Sequence, residues 1–135
     1  MTPAETDRLL SFLDDQKIAV VATVGKSGAP QLTPLWYGIR DGRITLSTTK
    51  QTVKYTNLLR DDRITLCFYS EPAARDFATV WGHAEISDDE SIWPETRAIV
   101  ERYTTPERVE ARMRDLRTQN RVIVTLEPDR VLFRT

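Results

Sequence analysis

The sequence predicts a mainly β protein with short helices, built on a small antiparallel barrel of six strands. Six runs rich in Val, Ile, Leu, Thr and aromatic residues have the length of strands. Asp41 and Gly42 lie between two of these runs, and Asp-Gly is the strongest short signal for a hairpin. The first two connections are too short to hold the crossover that parallel strands need, which favours antiparallel pairing.

The predicted elements alternate between helix and strand along the chain. A first helix begins at Thr2-Pro3-Ala4-Glu5, which combines a capping residue, a proline at the first helical position and a capping-box glutamate, and it ends near Asp14. Strands are predicted at residues 17–24, 30–39, 43–47, 63–69, 77–86 and 121–133, with the last one broken or bent at Pro128. Further helices are predicted at residues 51–60, after residues 88–90, and from residues 104–107, where the opening capping pattern recurs, to about 116.

Length and charge predict one domain that spans residues 1–135 and has no attraction to polyanions. Lys and Arg number 19 and Asp and Glu number 20, so the net charge of −1 recruits neither nucleic acid nor anionic lipid. The longest apolar run, at residues 18–24, is too short to cross a membrane. No basic and then apolar leader follows Met1, so we expect a soluble cytoplasmic protein.

The sequence lacks the usual catalytic motifs. It contains no nucleophile elbow, phosphate-binding P-loop, dinucleotide fingerprint or zinc-protease motif. His83 is the single histidine and Cys67 the single cysteine, which excludes a Cys/His zinc cluster and an internal disulfide. We therefore expect no metal site and no hydrolase, and any reaction would have to be carried by a cofactor.

One segment has the chemistry of an anion site: Ser47-Thr48-Thr49-Lys50-Gln51-Thr52-Val53-Lys54. It leaves a predicted strand, passes through hydroxyl side chains and enters a helix that carries two lysines. Hydroxyls and the amides of a helix start, next to ammonium groups, can hold a phosphate. In the alternative interpretation, Thr48 or Thr49 only caps the helix and both lysines are solvated.

Four segments together resemble one protein family. They are residues 46–64, residues 28–37, the strand Trp81-Gly82-His83-Ala84-Glu85-Ile86 and residues 121–131. In this order and spacing they resemble the pyridoxamine 5′-phosphate oxidase-like split β-barrel flavoproteins, with the greatest similarity to the deazaflavin (coenzyme F420) reductase branch. The resemblance covers nearly the whole chain and implies the FMN-binding split barrel type of fold.

The resemblance also implies a homodimer with two cofactor sites at the subunit interface. Lys54 matches the most characteristic basic position, while Thr52 stands where many relatives carry an arginine that could contact a phosphate through two hydrogen bonds. No catalytic residue is implied. The implied cofactor-binding residues are Thr33, Pro34, Leu35 and Trp36 along the ring, and Ser47, Thr48, Thr49, Lys50, Thr52, Lys54 and Asn57 at the phosphate-binding segment.

Three functions follow from this resemblance. The first is a coenzyme F420-dependent reductase that transfers hydride to a small organic substrate, and the second is an FMN-dependent oxidoreductase similar to pyridoxamine-phosphate oxidase. The third is a protein that binds a flavin, haem or deazaflavin without turnover. Trp81 and His83 are assigned a packing or interface role, with contact to the ligand as the alternative, and Cys67 is assigned an inert one. The arginines of the last helix form a solvated face or recognise an acidic cofactor tail or substrate: Arg108, Arg112, Arg114 and Arg117.

Overall fold

A seven-stranded antiparallel sheet is the largest element of the computed structural model, which describes residues 1–15 and 17–134. Its order is β2-β1-β5-β6-β7-β4-β3. The strands are β1 (Ala19–Val24), β2 (Pro30–Leu35), β3 (Tyr37–Arg40), β4 (Arg43–Thr49), β5 (Arg63–Tyr69), β6 (Phe77–Ser87) and β7 (Arg121–Arg134). All six neighbouring pairs are antiparallel, as predicted.

The count of seven strands differs from the predicted six because the predicted second strand is divided at Trp36. β2 pairs with β1 and β3 pairs with β4, at opposite ends of the sheet order. A single residue therefore connects the two edge strands, and the sheet must curl to bring its ends together. Pro30 and Pro34 lie in the edge strand β2, where a missing N–H does not interrupt the sheet. The curled sheet confirms the split β-barrel.

The described residues form four helices beside the sheet: α1 (Pro3–Leu13), α2 (Val53–Arg60), α3 (Ile92–Tyr103) and α4 (Pro106–Leu116). Thr2 and Glu5 form the predicted capping box of α1. The Glu5 amide nitrogen lies 3.1 Å from Thr2 Oγ1, and the Thr2 amide nitrogen lies 2.9 Å from Glu5 Oε1. The capping pattern predicted for α4 is wrong in its side chains, since Thr105 makes no cap hydrogen bond. The third helical position there is occupied by Arg108 rather than a glutamate. Across the described ranges, no helix has both the length and the hydropathy required to cross a membrane.

The main core fills the interior of the curled sheet and is closed by α1 and α2. Leu66, Phe68 and Val80 are fully buried there, and Leu13 of α1 packs against the same cluster. The Tyr37 ring meets Phe68 edge to face at 4.8 Å, and its hydroxyl donates to the Leu13 carbonyl at 2.9 Å. Burial raises the pKa of Tyr37 to about 12, so its hydroxyl keeps the proton for this bond.

Two smaller clusters hold α3 and α4 over the opposite face of β3, β4 and β7. Val100 of α3 packs with Val109, Met113 and Leu116 of α4. Ile92 and Ile99 of α3 pack with Ile123 of β7. The helices thus form a layer over one end of the sheet, and they leave a cleft at its edge.

β7 is continuous from Arg121 to Arg134, so the last strand is not broken at Pro128. Trp81 pairs with Arg130 while the next residue, Gly82, pairs with Pro128, so Asp129 is an extra residue in the ladder. An extra residue of this kind is a β-bulge, which bends the strand that contains it. Pro128, which has no N–H to donate, lies next to this irregularity.

Candidate functional site

A cleft of about 210 Å³ lies between the helical layer and the sheet, and it is called here the α3–α4 cleft. Its sheet side is formed by Pro34, Leu35, Trp36, Ser47 and Arg121. Its helix side is formed by Thr96, Ile99, Val100, Arg112 and Leu116. Four residues that the sequence assigned to a cofactor site, Pro34, Leu35, Trp36 and Ser47, therefore meet in one place.

Trp36 forms a fixed apolar wall of the cleft. Its ring stacks parallel to that of Tyr103 at a centroid distance of 5.0 Å and an angle of 2°. The Tyr103 hydroxyl donates to the Lys17 carbonyl and accepts from the Tyr37 amide. These two hydrogen bonds fix the Tyr103 ring. Because Trp36 stacks on that ring, its indole is held in place before any ligand binds.

Thr52 caps α2, which corrects the alternative that Thr48 or Thr49 does so. Its Oγ1 accepts a hydrogen bond from the Tyr55 amide at 3.3 Å and donates to the Thr49 carbonyl at 2.9 Å. The Thr48 hydroxyl lies 3.2 Å from the same oxygen. The cap requires an extended backbone at residue 52 and a short side chain whose oxygen reaches the amides of the first helical turn. Threonine meets both requirements, whereas a long side chain cannot supply this hydrogen bond.

Lys54 lies in the first turn of α2, and its side chain is buried with only 7% exposed. Among the described residues it has neither a hydrogen bond nor a carboxylate partner. Burial lowers the pKa of Lys54, and the neighbouring positive charge of Arg121 lowers it further. Lys54 is thus a mostly covered residue whose ammonium group has no counter-charge among the described residues, and it differs in this from the exposed lysine of the alternative interpretation.

Lys50 differs from Lys54 in both exposure and pairing. Its Nζ lies 2.9 Å from Asp88 Oδ2, and both side chains are largely open to solvent. The hydrogen bond to Asp88 raises the pKa of Lys50. An exposed pair of this kind stabilises the fold little and can exchange its partner at small cost.

Arg121 is a half-buried cation that has only neutral partners among the described residues. It pairs with Thr49 across β4 and β7, and its guanidinium donates to Ser47 Oγ at 2.8 Å and to Gln119 Oε1 at 2.9 Å. Its Nε is buried and has no hydrogen-bond partner in the described part of the chain. Burial and the nearby Arg112 lower the pKa of Arg121. Sequence reasoning placed this residue in the last strand and did not assign it to the site.

The other predicted site residues do not line the α3–α4 cleft: Thr33, Thr48, Thr49, Lys50, Thr52, Lys54 and Asn57. Asn57 is buried, and both ends of its amide are engaged, by Thr23 Oγ1 and by the Arg60 guanidinium, each at 3.0 Å. Thr33 Oγ1 is buried and meets no hydrogen-bond partner within residues 1–15 and 17–134. The assignment of these residues to a cofactor stays a prediction.

Trp81 and His83 lie on the outer face of the sheet, away from the cleft. The His83 Nδ1 is 2.7 Å from Asp62 Oδ1 and its Nε2 is 3.9 Å from Asp129 Oδ2, and the bond to Asp62 raises the pKa of His83. The Arg130 guanidinium lies 4.0 Å from the centre of the Trp81 ring. Within residues 1–15 and 17–134, no group of three or more His, Cys, Asp or Glu side chains could hold a metal ion.

The arginines of α4 do not act as one surface. Arg112 lines the cleft, with Asp115 at 3.6 Å, whereas Arg117 covers the Trp93 ring at 4.5 Å. Arg108 and Arg114 are exposed. One arginine of the four therefore contributes charge to the cleft.

The curled antiparallel sheet with its helical layer is the split-barrel fold of flavin-binding oxidoreductases. Residues 5–135 match the family described as pyridoxamine 5′-phosphate oxidase. The chain belongs to this family. It has no significant match among curated proteins.

Solved structures share the fold over nearly the whole chain. A conserved hypothetical protein from Mycobacterium tuberculosis is 28% identical with a TM-score of 0.81, over 99% of this chain and 84% of the other. A protein named F420 reductase is 21% identical with a TM-score of 0.70, over 91% and 94%. A heme binding protein from Mycobacterium smegmatis is 17% identical with a TM-score of 0.77, over 98% of this chain and 55% of the other. At these last two identities the similarity shows the fold alone.

Proposed function

We propose that the protein is an oxidoreductase that uses coenzyme F420, a deazaflavin, to transfer hydride to a small organic substrate. The observation that carries this proposal is Lys54, a residue 7% exposed whose ammonium group has no carboxylate partner among the described residues. A buried charge without a partner is costly to a fold, and it is retained where a ligand supplies the opposite charge. The similarity in fold to a protein named F420 reductase supports the choice of cofactor.

The residues present suit the phosphate of such a cofactor. Lys54 provides an ammonium group on a residue that is 7% exposed. Lys50 can leave its exposed partner Asp88 to add a second positive charge. Thr48 and Thr49 would place hydroxyls beside these cations at the start of α2. This set binds anions, and the described residues around Lys54 contain no carboxylate paired with it.

When bound, the deazaflavin supplies the hydride, so the protein needs no acid or base of its own for that step. Pro34, Leu35 and Trp36 would lie along its ring, where the fixed indole of Trp36 excludes water and limits the orientation of the ring. This division of work agrees with a sequence that lacks catalytic motifs.

Titration of the purified protein with coenzyme F420 and with FMN, side by side, tests the proposal. We expect a colourless protein that binds F420 with a micromolar dissociation constant and binds FMN more weakly. Reduced F420 should then be oxidised in the presence of a substrate. A yellow protein that retains FMN tightly would instead establish the FMN-dependent oxidoreductase, and cofactor binding without turnover across electron acceptors would establish a binding protein.

The proposal includes a homodimer with the cofactor sites at its interface, formed through the outer sheet face. This face is made by the outward side chains of β2, β1, β5, β6 and β7. The strand registers align one uncharged row across all five strands: Pro34, Val20, Cys67, Thr79 and Leu132. Leu32 and Leu132 are each more than half exposed on it. An uncharged row of this length with exposed leucines is typical of an interface.

Substitution of Leu32 and Leu132 tests the dimer. We expect light scattering to give twice 15.5 kDa for the wild-type protein and a monomer for the double variant Leu32→Asp/Leu132→Asp, because each copy would otherwise bury two unpaired carboxylates in the dimer. Leu59→Asp, an equally exposed leucine on α2, should leave the dimer intact. A wild-type monomer at micromolar concentration would contradict the dimer and the shared sites. The cytoplasmic location predicted from the sequence stays a prediction.

A further inference from the structure

The α3–α4 cleft has an unusual combination of polar groups. Arg121 and Arg112 are both donors only, and no acceptor in the described part of the chain meets the buried Nε of Arg121. The Ser47 hydroxyl accepts from Arg121, and its own proton reaches no acceptor among the described residues. The hydroxyl of Thr96 is occupied, since it donates to the Ile92 carbonyl at 2.7 Å. The cleft thus presents unused donors and no unused acid.

The rest of the cleft is apolar. Leu35, Trp36, Ile99, Val100 and Leu116 surround the two arginines. An inorganic anion would leave this surface unfilled, whereas a purely apolar molecule would leave the guanidinium groups without partners. The volume of about 210 Å³ is below the roughly 300–1,000 Å³ of sites for drug-sized ligands. A molecule with one or two rings fits these limits.

We propose that the α3–α4 cleft binds a small organic anion with a flat apolar body. Its carboxylate or similar group contacts Arg121 and Ser47, with Arg112 at the exposed side, and its body lies against the apolar residues of α3 and α4, which leaves Trp36 to the deazaflavin ring. This inference rests on the proposed function in one respect: a molecule of this class is the substrate of the reductase. The charge at Lys54 lies outside the cleft lining, so the anion and the cofactor phosphate have separate cations.

Calorimetric titration with 2-naphthoate and its neutral analogue 2-naphthamide tests the site. We expect the wild-type protein to bind naphthoate at least about 10-fold more tightly than naphthamide, as a charge-assisted contact requires. Arg121→Gln should remove this preference. Arg112→Ala should reduce it less, because Arg112 is exposed and near Asp115. Arg112→Ala also guards against misfolding, since its side chain is not buried.

Arg114→Ala is the matched control: the same helix loses an exposed arginine that does not line the cleft. Equal affinity for naphthoate and naphthamide, or equal losses in Arg112→Ala and Arg114→Ala, would overturn the proposal. So would displacement of naphthoate by saturating coenzyme F420, which would assign the cleft to acidic groups of the cofactor.

The two proposals fail in different ways. If the protein binds naphthoate through Arg121 but does not bind coenzyme F420, the proposed cofactor is wrong and the anion site stands. If F420 binds through Lys54 and naphthoate does not bind, the anion site is wrong and the proposed function stands. We expect both ligands to bind together, with naphthoate affinity unchanged by the Lys54→Ala substitution.

Discussion

Replacing Lys54 with methionine is expected to weaken binding of coenzyme F420 by about 10- to 100-fold. This loss corresponds to one charge-assisted contact to a phosphate, worth about 1.5–3 kcal/mol. The same substitution should raise the free energy of unfolding of the cofactor-free protein by about 1 kcal/mol. Methionine retains the length of the buried stem and removes a cation that has no partner in the described chain. A higher free energy of unfolding together with weaker binding of coenzyme F420 would identify Lys54 as a binding residue.

The pH dependence gives this prediction a second measurement. Because the folded pKa of Lys54 is lowered, the unfolded chain holds the proton more tightly, and the charged lysine destabilises the fold below its folded pKa. As pH rises through that folded pKa towards the ordinary value of 10.5, this cost disappears. The stability advantage of Lys54→Met over the wild type should therefore be largest near neutral pH and should shrink in alkali.

Two other lysines provide the comparison. Lys26→Met, in the turn between β1 and β2, should change neither affinity nor stability. Lys50→Ala should weaken F420 binding more mildly than the Lys54 substitutions, since Lys50 is exposed and already paired with Asp88. Saturating cofactor should restore turnover in each variant, because these lysines contact no reacting atom. An unchanged dissociation constant for Lys54→Met would remove the phosphate-site assignment.

The parts of the fold that sequence predicts well are those with local causes. The capping box of α1 and the Asp41-Gly42 hairpin are set by neighbouring residues, and both are confirmed. The division of the second strand at Trp36 could not be predicted, since it follows from which partners β2 and β3 find at distant ends of the sheet. The two prolines of β2 indicated an edge strand and gave no information on the turn.

The candidate site shows the same limit. The segment of residues 47–54 was found because hydroxyls and lysines are adjacent in sequence, and the structure places it at the end of β4 and the start of α2. Arg121 was missed because it reaches Ser47 only through the pairing of β4 with β7, across 74 positions. Burial, which distinguishes Lys54 from Lys50, is likewise a tertiary property that the pattern of charges does not contain.

Gly38 is the position where a single methyl group should affect both the fold and the α3–α4 cleft. An alanine Cβ would lie 2.8 Å from Thr45 Oγ1 and 3.0 Å from Ile99 Cγ1, closer than packed atoms allow. Both neighbours are buried, and Ile99 forms part of the cleft. Gly38→Ala must therefore push α3 away from β3. Overpacking of this kind lowers the free energy of unfolding by about 1–3 kcal/mol.

Chemical denaturation and naphthoate titration of Gly38→Ala, Ile99→Ala and the double variant measure this effect. Ile99→Ala alone should cost about 2–5 kcal/mol through the cavity it leaves. In the double variant the new methyl occupies part of that cavity, so the combined loss should be smaller than the sum of the two single losses. Gly38→Ala should also weaken naphthoate binding, because the helix that forms one side of the cleft moves. Additive losses would show that α3 does not rest on Gly38, and unchanged naphthoate affinity would show that the cleft tolerates a shift of α3.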